Sequence, residues 1–350
     1  MSEQAILRFV EAPTEGDFEA LAHQAFTYQY ASVAPFRTLC DRRRATPDTV
    51  SCWADIPMVP TRAFKSTPLH TAAPKIVFRS SGTTDAATRS EHHHPFPELY
   101  HRVVERSFPA FCIPDHDRVP MLSLIPTLAR VEDSSLSFMI DHVMATFGTD
   151  ASRNVVGARG VDLRALRSWL GARQREAEPC LVLATSLSLE QCVEGLERLG
   201  LRFRLPPGSA VFETGGLKTR SREIDPEDLR ARTEHRLGVG RDRTVIEYGM
   251  TELTSQAYGG ALLDRAHDVL LCPLWMRSRI VDPETLLEAP DGEIGLIALL
   301  DLANIGSAIH VLTEDLGRQV DGGFQLVGRA TGAELRGCSL TAQELAQPAE

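Results

Sequence analysis

Thr244-Val245-Ile246-Glu247-Tyr248-Gly249-Met250-Thr251-Glu252-Leu253-Thr254-Ser255-Gln256-Ala257-Tyr258 is the stretch around which the rest of the chain organises. Thr244 to Tyr248 is β-branched and apolar enough to read as a short strand, and Gly249 ends it. An aromatic residue at a strand end can stack on a base, and a glycine beside it lets backbone come close. Thr251 and Glu252 would then address a phosphate and its Mg²⁺, a hard cation that prefers oxygen ligands. Taken alone, the segment also allows a plainer reading: a buried tyrosine beside a helix capped by Thr251.

On either side of this stretch, strands and helices alternate. Ile76 to Arg79 reads as a strand that runs into Ser80-Ser81-Gly82-Thr83-Thr84. Asp162 caps a helix that carries Leu163, Leu166 and Leu170. Cys180 to Ala184 and Ala210 to Phe212 read as strands. Asp225-Pro226-Glu227-Asp228 opens a helix with a cap, a first-turn proline and acids at the positive end of the dipole, and Gly238 closes it. Glu293 to Leu302 is a long apolar strand. Earlier in the chain, Phe18, Leu21, Ala22, Ala25 and Phe26 share a helical face behind a cap at Asp17. Ile56-Pro57-Met58-Val59-Pro60 must be extended, because each proline pushes its predecessor out of the α region. The alternation predicts layered α/β packing with ligands at strand ends.

Three further segments could carry chemistry. Ser80 to Thr84 can bare consecutive backbone N–H groups and hydroxyls around an anion, or form an ordinary Ser/Thr turn. Thr214-Gly215-Gly216 offers a flat surface for a planar ring, or a simple loop. Thr313-Glu314-Asp315-Leu316-Gly317-Arg318, with Gly328-Arg329 after it, offers a carboxylate for the two hydroxyls of a ribose, or a hairpin with surface charges. His92-His93-His94 is a possible ligand cluster, but neighbours on an extended chain face opposite ways, so at most two share a site.

Composition narrows the classes. The chain has 350 residues, 43% apolar and 24% charged, enough for a sizeable core. Against 47 acidic residues stand 37 basic ones, a formal charge of −10 that argues against bulk nucleic-acid binding. Only Lys65, Lys75 and Lys218 are lysines. The amino terminus lacks the pattern of a secretory signal, and no apolar run approaches the ~20 residues of a membrane span. Seven scattered cysteines argue against a disulfide framework or zinc site and point to a reducing cytoplasm.

In this order and at these separations the segments resemble the adenylate-forming superfamily of acyl and aryl acid ligases. SSGTT is similar to its phosphate loop, YGMTE matches its motif residue for residue, and TEDLGR resembles the ribose-binding TGDLGR with glutamate for glycine. Within the superfamily the chain most resembles the acyl-protein synthetase branch, the LuxE-type fatty acid–protein ligases. Branch signatures are IPMVPTRAFK (Ile56 to Lys65), the histidine-rich stretch, SSLSFMIDH (Ser134 to His142), FETGG with Lys218, YGMTELTSQAY, and RGCSL (Arg336 to Leu340).

The resemblance implies a large layered α/β domain over residues 1–330 and a short tail, 331–350, in place of the small mobile domain. It implies ATP and Mg²⁺ as cofactors. Ser80, Ser81, Gly82, Thr83 and Thr84 would hold the β and γ phosphates. Tyr248, Gly249, Gly215 and Gly216 would flank adenine, and Asp315 with Arg329 the ribose. Thr251 would sit by the α-phosphate and Glu252 by the metal. His92 or His93 would line the acyl or adenylate pocket. Cys338 would accept the acyl group as a thioester and pass it to a partner such as an acyl reductase or carrier protein. Coenzyme A, an amine or a carrier thiol as direct acceptor, and an inactive nucleotide-binding subunit, are the competing readings.

Two positions depart from the superfamily pattern. Asp85 stands where the phosphate loop usually has glycine, and no lysine follows Lys218 to bridge carboxylate and α-phosphate. Lys218 or an arginine such as Arg336 replaces that charge, or a partner supplies it, or adenylation is weak.

Overall fold

The structure, a computed structural model, describes residues 3–81, 89–158, 160–215, 224–331, 341–342 and 344–345. The chain divides into two compact units. One comprises Met1–Arg106, Met250–Gln256 and Leu271–Glu350; the other comprises Ser107–Gly249 and Ala257–Leu270.

The second unit is built on the expected α/β alternation. Arg153–Asn154, Met121–Ser123, Leu181–Thr185, Ala210–Thr214 and Thr244–Tyr248 lie side by side in that order, all parallel. Ala257–Gly259 adds an antiparallel edge to the last of them. The strands are short apolar runs because a parallel sheet covered by helices has no solvent face. Helices Leu163–Glu176, Ser186–Arg198 and Pro226–Leu237 bury Leu166, Leu170, Leu189, Val193, Leu229 and Leu237 in one cluster with Val182, Ala184 and Val211. Their starts are chemically specified. Asp162 accepts from the N–H groups of Arg164 and Ala165, and Asp225 from those of Glu227 and Asp228. Gly238, at φ +74°, ends the last helix in the left-handed region that suits glycine. Because the strands are parallel, Thr185, Thr214 and Tyr248 finish at one edge of the sheet, the edge where such folds bind ligands.

The first unit is antiparallel. Met276–Val281, Gly295–Asp301, His310–Val320 and Gly323–Arg329 pair in chain order. The proline-bracketed segment does run extended, and Val59–Pro60 joins the sheet parallel to His310–Val320. Ile76–Arg79 pairs with Glu91–His94 as a separate hairpin. Helix Phe18–Ser32 contributes Gln29, which is fully buried. Its amide donates to the carbonyls of Asn304 and Ile305 (both 3.1 Å) and accepts from the N–H of Ile309 at 3.0 Å.

Several expectations shift. The strand beginning near Cys180 is Leu181–Thr185, and the long apolar strand starts at Gly295, because Pro290–Glu293 closes a turn with Gly292 at φ +82°. Asp17 stands before its helix but is no side-chain cap; its carboxylate is bonded to the Thr14 hydroxyl instead. Leu21 is only half-buried, and Gln29 takes a place on the buried face that apolar periodicity gave no reason to include. Thr251 caps no helix, since the segment after Gly249 is an irregular strap.

Replacing Gln29 with leucine strands the carbonyls and the N–H that its amide serves. The expected loss is about 2–3 kcal/mol, read as a lower urea midpoint with an unchanged m-value.

Candidate functional site

In the first unit, the motif strap Met250–Gln256 is fixed by a buried polar network. The Asp301 carboxylate, at the end of its strand, accepts from the N–H groups of Thr254 (3.2 Å) and Ser255 (2.7 Å), the Ser255 hydroxyl (2.7 Å) and the Ala303 N–H (2.9 Å). Burial nonetheless pushes its pKa up, to about 6. Asn304 donates to the Glu252 carbonyl at 2.8 Å and the Ala308 carbonyl at 2.7 Å, and accepts from the Thr254 hydroxyl at 2.9 Å.

Two of the three histidines belong to this support. His92 is fully buried, and its Nδ1 lies 2.8 Å from the Thr251 carbonyl. A carbonyl only accepts, so Nδ1 carries the proton. The Thr254 hydroxyl spends its hydrogen on Asn304, so His94 Nε2, 3.0 Å away, is the donor there. Burial lowers both imidazoles, His92 to about 4, which keeps them neutral. His93 points the other way, as the strand period requires, and is half-buried against Glu91 at 3.3 Å.

The strap holds the Glu252 carboxyl in a charged cluster. Burial pushes this carboxyl up, against a bond from the Ser90 hydroxyl and the charge of Arg329, which favour the anion; Glu314 adds to the rise. Ser90 is tied to the start of the SSGTT segment, since its N–H donates to Ser80 Oγ and the Ser80 N–H donates to its carbonyl, both at 3.0 Å. Ser80 and Ser81 therefore sit where the strand Ile76–Arg79 ends. Asp315 and Arg329 are direct partners across the last two strands. Glu314 pairs with Arg329 at 3.3 Å and with Arg62, the arginine of the IPMVPTRAFK segment. One unit thus gathers Ser80, Ser90, Glu252, Asp315 and Arg329 with Arg62 and Glu314.

Sequence reasoning singled out neither Ser90, Arg62, Asp301 nor Asn304, and it treated Glu314 only as a motif variation. Their places depend on hairpin register and strand pairing. Quoting IPMVPTRAFK was the one signal that reached Arg62.

In the second unit, Tyr248 is buried at its strand end and Gly249 after it is exposed. Gly215 is at φ +94°, in the left-handed region that suits glycine, and a Cβ there would meet none of the described residues within 4 Å. Between the two neighbouring strands the Thr214 hydroxyl donates to Glu247. Glu247 is buried, which pushes its pKa up to about 7. Gly82, Thr83, Thr84, Asp85, Gly216, Lys218, Arg336 and Cys338 lie outside the described residues. Of the tail, Thr341 and Glu344 are bonded to Arg43 at 2.6 and 3.0 Å.

A Mg²⁺ that arrives on nucleotide phosphates needs only one or two protein carboxylates. Glu252, a buried carboxyl bonded by one hydroxyl, fits that demand. Among the described residues there is no cluster of three or more His, Cys, Asp or Glu side chains able to cage a metal alone. No helix among them is long and apolar enough to cross a membrane.

The fold is that of adenylate-forming ligases. A solved 2-hydroxyisobutyryl-CoA ligase in complex with 2-HIB-AMP superposes with a TM-score of 0.67, at 14% identity, over 91% of this chain and 71% of its own. ATP-bound MatB from Rhodopseudomonas palustris gives 0.51, at 15% identity, over 74% of this chain and 49% of its own. The family model for acyl-protein synthetase, LuxE, matches residues 7–346, and the chain belongs to that family. The long-chain-fatty-acid–luciferin-component ligase of Aliivibrio fischeri is 20% identical over 331 residues, covering 90% of this chain and 84% of its own. The chain is accordingly an ATP-using acyl-protein ligase that works through an acyl-adenylate.

Glu247 makes stability depend on pH. Its folded pKa is raised from 4.5 to about 7, so its contribution is complete below pH 4.5 and is lost as pH rises through 7. Glu247→Gln should flatten thermal stability between about pH 5 and 7, the interval between the two pKa values. It should exceed the parent at pH 8, by up to about 3 kcal/mol, with the difference shrinking toward pH 5. An unchanged slope in a melting series would contradict this.

Proposed function

We propose that the acid is a long-chain fatty acid and that its acyl group passes through Cys338 to a partner protein, an acyl reductase or a carrier protein. The carboxylate oxygen attacks the α-phosphorus of ATP, and pyrophosphate leaves; a Mg²⁺ held by Glu252 would spread the charge on the phosphates. The Cys338 thiolate then attacks the acyl carbon of the mixed anhydride, and AMP leaves. A transfer of this kind needs alignment and charge spreading more than covalent help from the protein.

The observation that carries the reading is the convergence of Ser80, Ser90, Glu252, Asp315 and Arg329 within one unit. It supports Ser80, Ser81, Gly82, Thr83 and Thr84 on the β and γ phosphates, Thr251 at the α-phosphate, Glu252 toward Mg²⁺, and Asp315 with Arg329 on the ribose. Tyr248, Gly249, Gly215 and Gly216 take adenine, and Lys218 supplies positive charge to the reacting groups. His92 serves by holding the Thr251 carbonyl, and His93 faces the acyl side.

The cysteine assignment draws support from five of the six described thiols, all but Cys52. Burial pushes Cys40, Cys192 and Cys272 up to about 12 and Cys180 to about 11, and raises Cys112 as well. Such thiols are poor nucleophiles near neutral pH. The fatty acid is taken from what the Aliivibrio relative is named for.

Pyrophosphate exchange driven by fatty acids of graded length, followed by intact-protein mass, reads both steps. Exchange with long-chain acids and an acyl mass increment that Cys338→Ser abolishes are the expected results. Exchange that persists in Cys338→Ser with undiminished turnover to coenzyme A or a carrier would overturn the thioester. No exchange with any acid would overturn the activation step.

A further inference from the structure

The adenylate roles leave Arg62 without one. It lies in the short 3₁₀ turn Thr61–Lys65 that follows Val59–Pro60, the strand paired to His310–Val320. That pairing brings the guanidinium to Glu314, four residues into the neighbouring strand, where Arg62 Nε donates to the carboxylate. Glu314 is the more enclosed partner, with a side chain 15% exposed against 38% for Arg62. Its electrostatic surroundings are those of the cluster described above: Arg329 is 3.3 Å away, and Glu252 feels both.

An acid in that place is a liability for a site that takes a polyphosphate. We propose that Arg62 is a charge-matching residue of the nucleotide site: by pairing with Glu314 it cancels a carboxylate that would repel the phosphates and leaves the charge of Arg329 to act on the ligand. This rests on the reading that ATP binds beside Glu252, Asp315 and Arg329.

Three features support it. Burial by itself would raise the Glu314 carboxyl, yet the bonds and charges of Arg62 and Arg329 outweigh burial and hold it below the usual carboxylate range. Glu314 therefore stays ionised at neutral pH and must be neutralised by pairing, since protonation does not do it. With both arginines the trio carries one net positive charge; without Arg62 it carries none. Arginine suits the task because its planar fork stays charged and holds a carboxylate in a fixed orientation.

The alternative is that the Arg62–Glu314 pair only staples the turn to the sheet. Charge-only isosteres separate the two. MgATP binding, measured by calorimetry at 50 and 500 mM salt on the full chain, is the readout. Arg62→Gln should weaken MgATP about tenfold at low salt, the order expected of one charge changed a few ångströms from a phosphate, and less at high salt. Glu314→Gln should bind as tightly as the parent or severalfold tighter. Arg62→Gln/Glu314→Gln, which restores the parent's net charge, should return to within about threefold of the parent.

A double variant no better than Arg62→Gln, or weaker binding in Glu314→Gln, overturns the proposal; the staple predicts the same loss in both single variants and in the double, since all three break one pair. If Arg62→Gln does not fold, Glu314→Gln alone decides by the same criterion. Parent protein that fails to bind MgATP overturns the nucleotide reading itself, and the pair with it.

Discussion

The Asp301 carboxylate is the constraint on which the first unit's site depends. Four donors converge on it, two of them backbone N–H groups of the strap that carries Thr251 and Glu252. An irregular segment in a protein interior has no ladder to satisfy its backbone, and each unpaired group there costs as much as a lost hydrogen bond. Asp301, Asn304 and His92 supply those partners, and His94 holds the Thr254 hydroxyl. They do so from three directions, a strand end, the turn after it and a hairpin, so the strap has one conformation available. The position of Glu252 follows from that backbone.

Neutral imidazoles suit this task better than charged ones. His92 and His94 are each held in a single tautomer by an acceptor that accepts and nothing more: the Thr251 carbonyl in one case, and in the other a hydroxyl whose own hydrogen goes to Asn304. Burial keeps both uncharged, so the two histidines add no charge beside a cluster that already holds two glutamates and two arginines. The histidine-rich stretch thus contributes rigidity, and the charge of the site is set by the groups above it.

Much of the second unit was legible in the sequence because its signals are local. Asp162, Asp225, Pro226 and Gly238 are punctuation that acts within one turn, and the strands announce themselves as short apolar runs between such marks. The first unit was legible only where a motif or a proline fixed it, as at Val59–Pro60. Gln29 is polar yet fully buried, because its partners are 275 or more residues away in the chain, which periodicity cannot register. The pairing of Glu314 with Arg62 spans 252 residues and needs the Val59–Val311 register to exist. Motif reasoning reached Glu252, Asp315 and Arg329 individually, but the hydroxyl and charges that surround Glu252 are consequences of tertiary placement.

Glu252 and Glu314 show what that placement achieves. They are two acids of one type in one cluster, driven in opposite directions by their surroundings. Glu252 has one hydroxyl and a more distant cation, so burial wins and its proton is held more tightly than in water. Glu314 touches two guanidiniums, so pairing wins and it is an anion throughout. A carboxyl that burial leaves reluctant to ionise gains most from an arriving divalent cation, which replaces the proton and supplies the missing partner at once. A carboxylate already neutralised by arginines gains nothing from that cation and does not compete for it. The opposite shifts of the two glutamates therefore come from hydrogen bonds and charges contributed by Ser90, Arg329 and Arg62, residues that lie far apart in the chain and meet only in the folded unit.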